Sequence, residues 1–126
     1  MESPIKTVRI SQQGEEHLNH LKRVTRIDRW NILCRWALCH SLAEPTAPSL
    51  LDIKTDSNIE IAWDTFGGEI ADILLIALKQ RCDRDGLNLN RDTLRKQFTL
   101  HLHRGLAYLS QDENIDSIEK LVRLTQ

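Results

Sequence analysis

Residues 25–44, Thr25-Arg26-Ile27-Asp28-Arg29-Trp30-Asn31-Ile32-Leu33-Cys34-Arg35-Trp36-Ala37-Leu38-Cys39-His40-Ser41-Leu42-Ala43-Glu44, decide how the rest of the chain is read. Thr25-Arg26-Ile27 is a short connection, Asp28 is placed to cap a helix, and Pro45 and Pro48 forbid its continuation past Glu44. Between Trp30 and Glu44 ten of fifteen residues are apolar, and at about 100° per residue they surround the helix instead of forming a stripe. A helix apolar all round is predicted to be buried all round, so other elements have to cover it.

Upstream, Ile5-Lys6-Thr7-Val8-Arg9-Ile10 alternates, with Val8 and Ile10 on one face and Thr7 and Arg9 on the other, the pattern of a half-buried strand. Ser11 offers an N-cap hydroxyl to a helix whose inward stripe is Leu18, Leu21 and Val24 and whose outer face carries Glu15, Glu16, Lys22 and Arg23. Residues 5–44 thus read strand, helix, turn, helix. A lone short strand cannot form a sheet, and the apolar second helix needs cover. Both needs point to an intertwined oligomer, in which strands of two protomers pair antiparallel and the second helices cross in a shared core.

Downstream, residues 45–58 read as an exposed connection, Asn58 to Trp63 as a second short strand through Ile59, Ile61 and Trp63, and Asp64 to Glu69 as a turn. Ile70, Ile73, Leu74, Ala77 and Leu78 follow the helical template, predicting a third helix that ends near Arg81. After the turn at Asp83-Arg84-Asp85-Gly86, Asn90 caps a fourth helix with Leu94, Phe98, Leu102, Leu106 and Leu109 inward. Residues 114–124 read as a short amphipathic helix through Ile118, Leu121 and Val122. Residues 59–125 are therefore a helical C-terminal part, and no internal repeat is present.

The composition agrees with one mainly α domain over residues 1–126: 40% of residues are hydrophobic and 28% charged, with 5 Gly and 3 Pro, which excludes disordered and collagen-like chains. The longest apolar run, Ile73 to Leu78, is too short to span a bilayer, and no secretion signal is visible, so a cytoplasmic protein without membrane contact is expected. Cys34, Cys39 and Cys82 form no CxxC pair, which fits a reducing compartment.

Charge and chemistry are local. Seventeen Lys and Arg against eighteen Asp and Glu give a net charge of −1, so any polyanion-binding surface has to be a patch. Lys6, Arg9, Lys22, Arg23, Arg26 and Arg29 are the candidates for phosphate contacts, converging on one face of an oligomer. The start of the second helix at Arg29 offers free backbone N–H groups to a phosphate, in competition with Asp28 as a cap. His101 and His103 lie two residues apart on a helix and diverge by about 200°, and Cys34, Cys39 and His40 are spaced equally poorly, so neither group reads as a metal site. Gly67-Gly68 lacks the Lys-Ser or Lys-Thr of a phosphate loop. No motif sets a nucleophile beside a base, so a non-enzyme without cofactors is expected.

Arg9-Ile10-Ser11, Leu18 and Leu21, and Thr25-Arg26-Ile27 leading to Trp30-Asn31-Ile32-Leu33-Cys34-Arg35-Trp36-Ala37 resemble a ribbon-helix-helix unit. With Trp63-Asp64-Thr65-Phe66-Gly67-Gly68-Glu69 and Phe98-Thr99-Leu100-His101-Leu102-His103-Arg104-Gly105-Leu106-Ala107-Tyr108-Leu109, the chain from about residue 5 to 110 is similar to the bacterial DNA sulfur modification protein family DndE.

The resemblance implies a ribbon-helix-helix-like unit followed by further helices, and a non-catalytic subunit of the DNA phosphorothioation machinery. It implies a homo-oligomer, a tetramer, that binds double-stranded DNA and prefers a nicked duplex. The implied partners are an iron–sulfur sulfur-transfer protein and an ATPase of the structural-maintenance (SMC-like) type. Two other functions fit the same residues: a docking subunit for those partners without DNA contact, and a ribbon-helix-helix transcriptional repressor. One position departs from the usual turn, in which Gly takes the left-handed conformation: Arg26 stands there, at a cost of about 1 kcal/mol if that conformation is kept.

Overall fold

The computed structural model describes residues 2–111. Its elements run β1 (Thr7–Arg9), α1 (Gln12–Thr25), α2 (Trp30–Ala43), β2 (Glu60–Ala62), α3 (Trp63–Gly67), a 3-10 turn (Gly68–Ile70), α4 (Ala71–Arg84) and α5 (Arg91–Gln111). The terminal helix expected over residues 114–124 lies outside the described residues.

β1 pairs with β2 of the same chain, antiparallel, in the register Thr7 to Ala62, Val8 to Ile61 and Arg9 to Glu60. This corrects the expectation that the strand pairs with a second protomer. Asn58 to Trp63 supplies the partner, and Val8 and Ile61 face the core together. The loop ahead of β2 is tied down where β1 ends, because Ser57 donates both its backbone N–H and its hydroxyl to the carbonyl of Ile10.

The first helix forms as its sequence predicts. The Ser11 hydroxyl accepts from the N–H of Gly14 at 3.0 Å, and Leu18 and Leu21 are fully buried. Arg26 then takes the left-handed conformation, φ 63°, and its N–H closes onto the carbonyl of Lys22.

α2 is the central helix. Leu33, Cys34, Ala37, Leu38 and Ser41 are buried, and Trp30, Ile32, Trp36 and Leu42 are half-buried. Cys39 stays exposed, so the helix is covered on most sides but not all. Its cap also differs from expectation. Arg29, not Asp28, is the N-cap, and no side chain closes it.

α5 crosses α2 at Gly105, where an added Cβ would overlap the backbone of Ala37. Only glycine permits this approach. The predicted stripe Leu94, Phe98, Leu102, Leu106 and Leu109 is buried along α5, and the Asn90 side chain caps its start by accepting from the N–H of Thr93 at 2.8 Å.

Two readings between the strands and α5 are corrected. Residues 63–67 form a helix where a turn was expected, because Trp63 and Phe66, three apart, both turn inward and meet Phe98, with ring centroids 5.4 to 5.6 Å apart. The inward face of α4 is Leu74, Leu75, Leu78 and Cys82. Ile70, Ile73 and Ile76 are left 41%, 63% and 44% exposed.

Candidate nucleic-acid interface

The six cations fall into two groups. Lys6 and Arg9 belong to the strand pair, at β1, before α1. Lys22, Arg23, Arg26 and Arg29 cluster around the α1–α2 turn, with the 14 residues of α1, about 20 Å of helix, separating the ends at which they sit. The two groups also differ in electrostatic state. Lys6 pairs with Glu2 at 3.4 Å and Arg9 with Glu60 at 3.2 Å. Among the described residues no carboxylate pairs with any of the four cations at the turn.

The turn holds its cations for local reasons. Lys22 and Arg23 end α1, where the negative pole of the helix dipole favours them. Arg26 is directed outward by its left-handed backbone, and Arg29 stands at the positive pole of α2, whose first turn contains no acidic residue. Arg29 there is electrostatically unfavourable unless an anion is near. The Lys22 ammonium lies over the Trp30 ring, 4.3 Å from its centroid.

The strand-pair group borders an open groove of about 370 Å³, lined by Lys6, Arg9 and Arg95 with Thr7, Thr55 and Thr99. Arg95, absent from the sequence candidates, is held there by donating to the carbonyl of Pro4 at 2.9 Å and by pairing with Asp92 at 3.5 Å. Each cation of this groove therefore already has a carboxylate.

Two further arginines went unnoticed in the sequence because their task is internal. Arg81, 4% exposed, pairs with Asp85 at 3.0 Å and donates to the carbonyls of Leu42, Glu44, Pro45 and Thr46. Arg104 donates to the hydroxyl and carbonyl of Ser41 and to the carbonyl of Thr46. Together they satisfy the carbonyls left open at the C-terminal end of α2.

The histidines of α5 diverge as their spacing requires. His103 Nε2 accepts from the N–H of Ser11 at 3.1 Å, so its Nδ1–H donates to the carbonyl of Thr99 at 2.8 Å. His101 Nδ1 lies 2.8 Å from the Ser41 hydroxyl, which also accepts from Arg104. His101 Nε2 is buried with no partner among the described residues. Burial, followed by the charges of Arg104 and Arg81, brings the His101 pKa down to about 4. Burial pushes the Cys34 thiol up to about 12, which keeps it protonated and inert. Among the described residues no group of three or more His, Cys, Asp or Glu side chains is close enough to hold a metal ion, and no helix is long and apolar enough to cross a membrane.

The family model for DNA sulphur modification protein DndE matches residues 7–117, covering β1 through the end of α5. The chain belongs to the DndE family. A crystal structure of DndE from Escherichia coli B7A, described as involved in DNA phosphorothioation modification, superposes with a TM-score of 0.72 at 26% identity, over 86% of this chain and 99% of that one. A second crystal structure, of a DndE mutant with two glycine-to-lysine changes, also described as involved in DNA phosphorothioation, gives a TM-score of 0.65 at 25% identity over 82% and 95%. No curated protein matches the chain. The family, involved in DNA phosphorothioation, thus has the mainly helical architecture found here, with a short two-stranded antiparallel sheet packed on its helices.

Proposed function

We propose that this chain is a non-catalytic, DNA-binding subunit of the DNA phosphorothioation machinery. It holds duplex DNA, nicked duplex in preference, on a basic surface of a cytoplasmic homo-oligomer, a tetramer. The sulfur chemistry falls to an iron–sulfur transfer protein and an SMC-like ATPase. The observation that carries the reading is the α1–α2 turn, where Lys22, Arg23, Arg26 and Arg29 have no carboxylate partner among the described residues and Arg29 faces the positive end of α2. Such a cluster is stabilised by an anion, and a row of phosphates supplies several at once. A nick makes the duplex easier to bend, so a backbone-binding surface gains on it through deformability.

The test is a titration of the purified protein against intact and nicked duplexes of one sequence over a range of salt. Lys22→Ala with Arg23→Ala should lower the slope of log K against log salt by about 2, equally for all sequences. An unchanged slope would remove these residues from the interface.

The second reading, a docking subunit that leaves DNA to its partners, is favoured by Ile70, Ile73 and Ile76 on the outer side of α4 and the turn before it. Absence of binding to either duplex would select it.

A further inference from the structure

Phosphate binding explains the four cations of the turn but not the indole among them. Trp30 is the first residue of α2, next to Arg29, and its side chain is half-buried against the core. Its ring lies beneath the Lys22 ammonium, 4.3 Å from the centroid. Among the described residues the indole N–H is neither buried nor given an acceptor. The edge of the indole therefore reaches the surface beside Lys22 and next in sequence to Arg29. Aromatic rings contribute to nucleic-acid binding by stacking on bases. In an intact duplex every base face is already taken, and a face opens where the stack is interrupted.

We infer that Trp30 is a base-stacking residue: a ring that receives a nucleobase at an interruption in the duplex, under cover of the phosphate contacts around it. This rests on the DNA-binding reading above. Lys22 is the other half of the device. In the free protein its ammonium lies over the ring, and a phosphate arriving at the turn draws it away and uncovers the indole. Discrimination between interrupted and continuous duplex then comes from a contact that releases no counterions, and is insensitive to salt.

The experiment compares wild type, Trp30→Phe and Trp30→Met on intact, nicked and one-nucleotide-gapped duplexes of one sequence, with thermal unfolding of each protein alongside. Trp30→Phe should keep the preference for interrupted duplex. Trp30→Met should weaken binding to nicked and gapped DNA by about 5- to 100-fold relative to intact duplex, the loss of one base stacked on an aromatic ring, and leave the salt slope on intact duplex unchanged. Equal weakening on all three duplexes, or an unchanged preference, overturns the inference. Wild type that binds all three alike overturns it too, while DNA binding stands; wild type that binds none overturns both. A readout independent of the variants is photocrosslinking with 5-iodouracil beside the nick. The crosslinked peptide should contain Trp30 on nicked and not on intact duplex, and crosslinks confined to other residues count against the inference.

Discussion

Both ends of α2 are ringed by basic residues, and the two rings do opposite work. At the C-terminal end Arg81 and Arg104 reach in from α4 and α5 and donate to the carbonyls of residues 41–46. At the N-terminal end Lys22, Arg23, Arg26 and Arg29 make no ion pair among the described residues. One end follows the helix dipole and is satisfied within the chain; the other meets the dipole with charge of the same sign and finds no ion-pair partner among the described residues. Side-chain type separates these tasks less well than the number of acceptors the chain itself offers.

Breaking the satisfied end gives the largest effect. Arg81→Met removes a buried charge and leaves Asp85 and the carbonyls of Leu42, Glu44 and Pro45 without their donor, so the chain should lose about 3 to 5 kcal/mol in urea unfolding. DNA affinity of the fraction that stays folded should not change. The same end also responds to pH. With the folded pKa of His101 near 4 against an ordinary 6.5, its contribution is fully present above pH 6.5 and is lost as pH falls through 4. The loss is about 3 kcal/mol. His101→Gln should flatten that pH dependence, measured by denaturant unfolding from pH 7 down to pH 4.

The unsatisfied end sharpens the comparison with a change of opposite sign. Arg26→Gly relieves a left-handed backbone and should stabilise the chain by about 1 kcal/mol, while lowering the salt slope of DNA binding by about 1. A gain in stability with an unchanged slope would make Arg26 a bystander. The smallest effect belongs to the strand pair. Lys6→Ala with Arg9→Ala removes two exposed ion pairs worth at most about 0.5 kcal/mol each, and its slope should fall less than that of the Lys22 and Arg23 pair.

The helices with a clean stripe were legible. Leu18 and Leu21 of α1, and Leu94 through Leu109 of α5, lie where their spacing puts them, behind caps from Ser11 and Asn90. α4 was legible in existence but not in orientation. Six consecutive apolar residues, Ile73 to Leu78, support several stripes equally, and tertiary contacts chose Leu74, Leu75 and Leu78 over Ile73. The strand partner was misassigned because both strands are three residues long, and no local pattern states which edge each one meets. Arg81 reads as a surface charge in any sequence, since the carbonyls that bury it come from a loop some forty residues earlier. At the candidate interface the separation of the cations at the turn from those at the strand pair depended on Glu2 and Glu60, whose positions only the fold supplies.

The contact between Gly105 and the backbone of Ala37 also sets where the molecule opens last. Amides of α2 and α5 beside that crossing should exchange with deuterium only through global unfolding, and those of the two three-residue strands should exchange sooner. The indole and the cations of the turn border the helix expected to exchange slowest. Lys6 and Arg9 sit on the short strand pair instead.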